Sequence, residues 1–251
     1  MRKRSIPAVP AMAGGGKTAS GETHRCRLRA VSKIRLTTYR LVCMDVETMI
    51  ATVTRNAEKT RAHILNAAFE EFYMNGFQGS SLNRIVEKAG TTKGGLFHHF
   101  HDKNDLGYAV VEEIIHPQLK ERWFDPLADS IDPIALIKRT MRQFAREEEA
   151  KSYLLRGCPL NNLAQEMAPL NEEFRRRLER IYSAWREAVE SAFARGIKAG
   201  TVKKGISPRR TAALIVAALE GIIGTAKNAQ SRELLENAGE GLIDYLDSLR
   251  P

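Results

Sequence analysis

The segment KTRAHILNAAFEEFYMNGFQGSSLNRIVEKAGTTKGGLFHHFHDKNDL, residues 59–106, decides the fold of this protein. Its first half repeats apolar residues at the spacing of one face of an amphipathic helix. With Arg61 as the starting position, this stripe consists of Ile64, Leu65, Ala68, Phe69 and Phe72. The pattern stops at Asn75-Gly76, which predicts the end of the first helix there.

A second, shorter helix is predicted to follow. Ser80 or Ser81 can cap its first turn, and Gly90 is placed to end it in a left-handed conformation. The buried face of this helix is predicted to consist of Leu82, Ile85, Val86 and Ala89.

The third helix is predicted to begin at Thr91 or Thr92. Leu96 and Phe100 lie four residues apart and are expected to point inward. Three consecutive helices with short connections have the layout that a helix-turn-helix DNA-reading unit requires. The third helix would then be the recognition helix.

The rest of the chain is predicted to be helical, because no run of alternating β-branched residues occurs. A longer helix is expected to bend near Pro117. The helix from Arg209 to about Lys227 is apolar nearly all round and must be buried on more than one side. Helix starts are predicted at Asp102, Asp132-Pro133, Pro159, Asn171, Ser207-Pro208 and Ser231. The fold class is therefore all-α.

The positive charge is confined to the N-terminal region. The 251 residues carry a net charge of +9, and residues 1–43 alone hold ten basic side chains and one acid. The basic pI of the chain therefore comes from this N-terminal leader. The leader is predicted to be disordered because its apolar residues follow no regular period. Met44 and Met49 lie just ahead of the periodic segment, so an over-extended gene start and a real basic arm both remain open.

Composition indicates a cytoplasmic protein. No stretch approaches the roughly 20 apolar residues that a membrane span needs, which predicts no membrane partner. Cys26, Cys43 and Cys158 are too few and too scattered for a disulfide framework or a cysteine zinc site. A reducing cytoplasm fits best, with the protein associated with the nucleoid when it is bound to DNA.

The quoted segment resembles the tetracycline-repressor (TetR) family of bacterial transcription regulators. It shows that family's order of N-terminal helix, glycine-aromatic turn, helix-turn-helix and a KxxL sequence, here Lys103 to Leu106. Beyond this segment the resemblance is mainly architectural and implies a helical domain that dimerises and usually encloses an inducer. We accordingly expect a leader (1–54), a DNA-binding domain (55–101) and an effector-binding and dimerisation domain (102–251). The expected partners are double-stranded operator DNA, a second copy of the chain and a small-molecule effector.

The resemblance also implies DNA-contacting residues. It places Thr60, Arg61, Ser81 and Lys103 near phosphates. The residues of the recognition helix expected to face the major groove are Thr92, Lys93, Gly95, His98 and His99, with Lys93 the best candidate for a guanine edge. Phe97 stands where the family usually has tyrosine, so a hydroxyl often used on a phosphate is missing.

The glycines and the histidines of the recognition helix each allow another interpretation. Each of its two glycines costs about 1 kcal/mol relative to alanine in a helix, which close approach of the backbone to DNA would explain. His98, His99 and His101 could suggest a metal site, but zinc needs three or four convergent ligands and Phe100 points inward among them. We predict no metal and no cofactor.

The C-terminal half should contain a ligand pocket that combines apolar walls with a few polar groups. The candidates are Trp123, Phe124, Tyr153, Cys158, Asn161, Asn162, Gln165, Tyr182 and Trp185. Cys158 could alternatively sense oxidation, although a lone cysteine more often behaves as a small buried hydrophobe. It lies in RGCPLNNLAQEM, residues 156–167, which resembles a segment of one subset of these regulators.

Two C-terminal helices carry more apolar surface than one core needs, which favours a four-helix dimer interface. Its candidate residues are Ala217, Gly221, Gly224, Leu235, Ala238, Leu242, Tyr245 and Leu249. The alternative is that both helices only complete the core of the monomer.

The sequence predicts a homodimeric, ligand-responsive DNA-binding repressor. Enzymatic activity is not expected, because Cys158 has no identifiable base partner and no carboxylates cluster. The alternatives are a helical protein-interaction scaffold and a thiol- or metal-responsive sensor without an organic inducer.

Overall fold

The computed structural model describes residues 46–146 and 154–251. Within these ranges the chain is helical and contains no strand, which confirms the all-α class. Eight regular helices are α1 (Val46–Asn75), α2 (Leu82–Lys88), α3 (Lys93–His99), α5 (Pro133–Arg146), α6 (Pro159–Met167), α7 (Glu172–Ala199), α8 (Pro208–Ala229) and α9 (Arg232–Asp247).

The helix between α3 and α5, called α4, is one continuous run of residues 103–128 with two π-helical turns. Pro117 and Pro126 each follow one of these turns, and a proline cannot donate the i→i−4 hydrogen bond. The irregularity expected near Pro117 therefore takes the form of π turns. The segments of α4 are Lys103–Val110, Val111–Ile115 (π), His116–Leu119, Lys120–Phe124 (π) and Asp125–Ala128.

The predicted helix caps are confirmed. In each, a side-chain oxygen accepts a hydrogen bond from a backbone N–H of the first turn. These residues are Ser81, Thr92, Asp102, Asp132, Asn171, Ser207 and Ser231. Gly90 has the predicted left-handed conformation, with φ of +65°. The order and boundaries of most helices follow from these local signals.

The predicted start of α1 was wrong. The helix begins at Val46, so residues 46–54, assigned to the leader by sequence, are helical. This stretch, VETMIATVT, contains no glycine or proline that would end a helix. Residues 1–45 lie outside the described part of the chain.

The first hydrophobic core joins the helix-turn-helix to the helices that follow it. Leu96 and Phe100 of the α3 region are buried as predicted, together with Ile85 from α2. Residues of α4, α6 and α7 belong to the same core, among them Leu106, Leu160, Leu163, Phe174 and Ile181. Packing is therefore continuous across the predicted boundary between residues 101 and 102.

The second core lies in the C-terminal half. It joins α5, α8 and α9 to the second half of α4 and the C-terminal half of α7. Leu119, Phe124 and Tyr182 are partly buried residues that pack against both cores. A displacement near these residues would therefore be felt in both halves.

Helix α8 is, within the described residues, the helix long and apolar enough to cross a membrane, with a mean hydropathy of 1.3 over its most apolar window. The sequence predicted this helix to be apolar nearly all round, but the prediction that no stretch approaches a membrane span did not take it into account. One such helix is weak evidence, because the core helix of a soluble protein passes the same test. Since α8 packs against both α7 and α9, we interpret it as a core helix.

Candidate nucleic-acid interface and ligand cavity

The surface of α3 presents the residues predicted to face DNA. Thr92, Lys93 and His98 are exposed, and Gly95 and His99 are half-buried. Leu96, on the opposite side, is completely buried. The hydrophobic contacts of α3 thus leave one face of the helix to solvent.

Phe97, which occupies the position where a tyrosine was expected, is 49% exposed. An aromatic ring of this exposure on a short polar helix gains little from packing within the protomer. It belongs to the same solvent face as the predicted DNA contacts.

The two glycines of α3 have different environments. A Cβ at Gly95 would lie 2.5 Å from the Thr91 hydroxyl oxygen, so this position is crowded within the protein itself. A Cβ at Gly94 would meet only the Thr92 hydroxyl, at an ordinary 3.8 Å. Close approach to DNA is therefore tested more cleanly at Gly94, which the sequence reading did not select.

Among the histidines, His99 has a defined electrostatic environment. Burial lowers its pKa, with smaller contributions from His98 and Arg61, so the ring is mainly neutral at pH 7. The rings of His98 and His99 stand edge to face with centroids 5.1 Å apart. Within the described residues no group of three or more potential metal ligands converges.

Thr60 and Arg61 do not lie at a helix start, because α1 begins much earlier. The Thr60 hydroxyl donates to the Asn56 carbonyl at 2.9 Å within α1. Arg61 forms a two-pronged ion pair with Glu113, with N···O distances of 2.5 and 2.6 Å, and its guanidinium lies over the Phe100 ring. Arg61 thus braces α1 against α4, which argues against its predicted phosphate contact.

Ser81 and Lys103 also make internal contacts. Ser81 caps α2 by accepting from the Asn83 N–H at 3.2 Å. The Lys103 ammonium donates to the carbonyls of Gln78 at 3.3 Å and Ser80 at 2.9 Å. Burial lowers the pKa of Lys103. We therefore assign Lys103 first to holding the connection between α1 and α2.

A cavity of about 690 Å³ lies in the C-terminal half. Its walls are mainly apolar and come from α4, α5, α7, α8 and α9, with the N-terminal end of α6. Trp123 and Trp185 line it, with their ring centroids 5.5 Å apart. The size and lining suit a small organic ligand.

The structure divides the predicted pocket residues. Trp123, Cys158 and Trp185 line this cavity. Asn161, Asn162 and Gln165 instead line a second cavity, of about 760 Å³, between α1, α6 and α8. Phe124 and Tyr182 line neither cavity, because both side chains pack partly buried against the two cores. Tyr153 lies outside the described residues.

The segment before α6 is fixed in place. Gly157 has φ of +83°, and a Cβ there would lie 2.8 Å from Lys227 and 2.9 Å from Asn162. Its carbonyl accepts a 2.7 Å hydrogen bond from the Tyr73 hydroxyl of α1. The backbone conformation thus favours glycine, and the Lys227 and Asn162 side chains packed against it would have to move for any larger residue. These contacts set the position of Cys158 at the cavity.

Helix α6 connects the cavity to the helix-turn-helix. At its C-terminal end, Glu166 accepts hydrogen bonds from the backbone N–H of Phe77 at 2.8 Å and of Gln78 at 2.7 Å. Cys158 precedes its N-terminal end and lines the cavity. About 12 Å of helix separates the two residues. One rigid element therefore touches both the cavity and the connection between α1 and α2.

The sequence reading missed Glu166 and Glu220. Glu220 lies on α8 in the cavity wall and is only 7% exposed. An acidic residue in the middle of a helix that is apolar nearly all round was the available signal. Glu166 offered no such signal, because its partners lie 88 and 89 residues away in the sequence.

The predicted dimer residues are also divided. Ala217 and Gly221 are exposed on α8, and Gly224, Ala238 and Tyr245 are half-buried. Leu242 and Leu249, however, are buried in the second core, and Leu235 lines the cavity. Leu242 and Leu249 therefore belong to a face that packs within the protomer, and the prediction for these two residues was wrong, whereas it stays a prediction for half-buried Leu235.

Comparisons with known proteins agree with this arrangement. Residues 64–110 match the family described as "Bacterial regulatory proteins, tetR family", and residues 135–242 match "Tetracyclin repressor-like, C-terminal domain". The uncharacterized HTH-type transcriptional regulator YxaF of Bacillus subtilis is 32% identical over 54% of this chain and 69% of its own length. The HTH-type transcriptional repressor DhaR of a Mycobacterium strain is 27% identical over 70% of this chain and 86% of its own.

A solved structure of a TetR regulator is also similar to this chain. The crystal structure of a TetR transcriptional regulator from Chloroflexus aurantiacus is 27% identical, with a TM-score of 0.67 over 77% of this chain and 96% of its own. The similarity therefore extends through both the helix-turn-helix and the C-terminal helices.

Proposed function

Because the chain belongs to the TetR family of DNA-binding transcriptional regulators, we propose that it is a homodimeric repressor released from its operator by a small organic ligand. Members of this family are DNA-binding regulators and not enzymes. The observation that carries the proposal is one rigid helix, α6, which touches the 690 Å³ cavity at one end and the helix-turn-helix at the other. We expect the protein in the cytoplasm, on the nucleoid when bound.

The exposed face of α3 supports the DNA contacts. Lys93 is exposed and lies in the first turn, where a side chain can reach a base edge in the major groove. Thr92 and His98 flank it on the same face, with neutral His99 at the edge. The internal roles of Arg61 and Lys103 leave phosphate anchoring mainly to these residues and to backbone N–H groups.

The outward face of α8 supports a dimer. Ala213, Ala217 and Gly221 are exposed there, next to Leu214, which is 49% exposed. A Cβ at Gly221 would meet nothing within 4 Å, so nothing within the protomer requires glycine. A second α8 approaching closely about a two-fold axis would explain this face.

The proposed coupling uses α4 and α6. Ile115, Leu119 and Trp123 of α4 line the cavity, and Glu113 in the first π turn holds Arg61 of α1. A ligand that binds better to one arrangement of these helices would shift the equilibrium between them. The two recognition helices of a dimer would then lose the spacing of successive major grooves.

Gel shifts with the DNA flanking the protein's own gene test this function. We expect specific binding that weakens as salt increases, because neutralised phosphates release counterions. Lys93→Ala should weaken specific binding by about 1–3 kcal/mol, whereas Lys204→Ala, an exposed lysine between α7 and α8, should not. Equal effects of the two variants would contradict a base contact by Lys93.

The thiol-sensor alternative is less well supported. Cys158 is buried, and burial raises the pKa of its thiol well above the ordinary value, with the carboxyl of Glu220 contributing in the same direction. Reactive cysteines need thiolate character and access, and Cys158 lacks thiolate character and is only 6% exposed. An oxidant response that disappears in Cys158→Ser would restore that alternative.

A further inference from the structure

The wall of the 690 Å³ cavity contains a buried acid without a cationic or strong hydrogen-bonding partner among the described residues. Glu220 is 7% exposed, and no N–H or O–H group there reaches its carboxylate oxygens in hydrogen-bond geometry. The thiol of Cys158, a weak donor, faces it. The indole N–H of Trp185, in the same cavity, is likewise buried and without an acceptor among the described residues. Two unsatisfied polar groups therefore line one cavity.

Glu71, the other buried acid among the described residues, has a structural role and serves as a comparison for Glu220. Glu71 is 8% exposed, but it accepts hydrogen bonds from Arg84 Nε at 2.7 Å and the Ser81 N–H at 3.0 Å. The hydrogen bond from Arg84 contributes most to lowering the pKa of Glu71. Desolvation instead raises the pKa of Glu220 to about 7, although a hydrogen bond with the Cys158 thiol acts against this rise. The protomer therefore supplies strong hydrogen-bond donors to the Glu71 carboxylate but none to the Glu220 carboxylate among the described residues.

The surroundings of Glu220 indicate which chemical group would pair with its carboxylate. An unpaired buried carboxylate is strongly unfavourable unless a cation or several donors reach it. The cavity's apolar walls would cover a hydrophobic body, and the faces of Trp123 and Trp185 attract a positive charge.

An anionic ligand fits less well. Three arginines also line the cavity: Arg139 and Arg142 are exposed and therefore remain hydrated, and Arg122 is half-buried with its guanidinium over the Phe144 ring. Neutralising Glu220, which water scarcely reaches, gains more than neutralising an exposed arginine. The buried charge should decide which ligands the cavity accepts.

We propose that the effector is an organic cation, an amine or amidine on a bulky apolar body, whose N–H groups bind the Glu220 carboxylate in the cavity that both tryptophans line. This inference rests on the proposed ligand response and specifies its chemistry. The cavity volume lies within the range of about 300–1,000 Å³ that small-molecule sites occupy.

Three probes of nearly equal shape test the charge preference. They are 1-adamantanemethylamine, 1-adamantanemethanol and 1-adamantanecarboxylate, none of which absorbs where tryptophan does. Trp123 and Trp185 are the two tryptophans of the chain and both line the cavity, so intrinsic fluorescence reports binding there directly. Titration at about pH 8 keeps Glu220 mostly ionised and the amine protonated.

The wild-type protein should bind the amine at least about tenfold more tightly than the alcohol and the carboxylate, as expected for a charge-assisted hydrogen bond. Glu220→Gln should remove this preference, and Glu187→Gln, on an exposed part of α7, should retain it. Equal binding of amine and alcohol by the wild type, or no binding of any probe at about millimolar concentration, would overturn the inference. The wild-type comparison decides the matter even if Glu220→Gln does not fold.

A gel shift in the same preparations separates this inference from the proposed function. Specific DNA binding without an amine preference would remove the cation site and leave the DNA-binding regulator intact. An amine preference without specific DNA binding would support the cation site and contradict the proposed DNA-binding function.

Discussion

Replacing Glu220 with glutamine should change how stability depends on pH. In the folded chain the pKa of Glu220 rises from 4.5 to about 7, mainly because burial disfavours the carboxylate. The folded state therefore holds this proton more tightly than the unfolded state does. Stability from this group is fully present below about pH 4.5 and is lost as the pH rises through 7, the opposite of a salt-bridged acid.

The size of the effect follows from the same displacement. A pKa that moves from 4.5 to about 7 corresponds to roughly 3 kcal/mol between the two protonation states. Glutamine does not ionise, so the free energy of unfolding of Glu220→Gln relative to wild type should increase by about this amount between pH 5 and pH 8. Any fixed cost of burying the amide cancels in this difference.

Thermal unfolding of both proteins over this pH range measures the effect. For a chain of this size about 3 kcal/mol corresponds to roughly 6–12 °C, so the two melting curves should separate clearly as the pH rises. The nearest titratable groups, Cys158 and Tyr182, have raised pKa values and stay neutral throughout. Exposed charges at the cavity rim are common to both proteins. Parallel pH profiles would refute the picture of an unpaired buried carboxylate.

Three further variants test the other elements. Gly94→Ala should stabilise α3 by up to about 1 kcal/mol and yet weaken operator binding in a gel shift; tighter binding would argue against close approach of the backbone to DNA. Glu166→Gln should lower operator affinity by about threefold to thirtyfold while Glu179→Gln, an exposed acid on α7, does not, since Glu166, unlike Glu179, accepts from the backbone N–H groups of Phe77 and Gln78 in the α1–α2 connection. Gly221→Asp should keep its helical circular dichroism but sediment as a monomer at about micromolar concentration, and a persistent dimer would move the interface elsewhere.

The helices could be predicted where their ends depend on nearby residues. Thr92 caps α3 through an N–H three residues away, and Gly90 needs only its own left-handed conformation to end α2. The same locality explains the error at α1. No residue in 46–54 stops a helix, so composition alone could not separate this stretch from the leader.

Contacts distant in sequence could not be predicted in this way. Arg61 was expected to meet a phosphate because its position in the segment allowed it, but its partner Glu113 lies 52 residues away. On α9, periodicity identified Leu242 and Leu249 as apolar positions without showing which surface covers them. A pattern on one helix predicts that a face is buried, and only the tertiary structure shows what buries it.

In the proposed ligand response, the lack of a cationic partner for Glu220 would supply free energy for regulation by ligand binding. An effector can shift a conformational equilibrium only by the difference in its affinity for the two states, and allosteric couplings are typically 1–3 kcal/mol. Pairing a buried carboxylate with a cation contributes a free energy of this size. It drives release from DNA only if the cation binds Glu220 more strongly in one of the two states. Cys158 faces Glu220 at one end of α6, and Glu166 holds the DNA-reading module at the other. A small movement of α6 would therefore change both the fit around the cation and the backbone contacts of Phe77 and Gln78, which is the linkage that release from DNA requires.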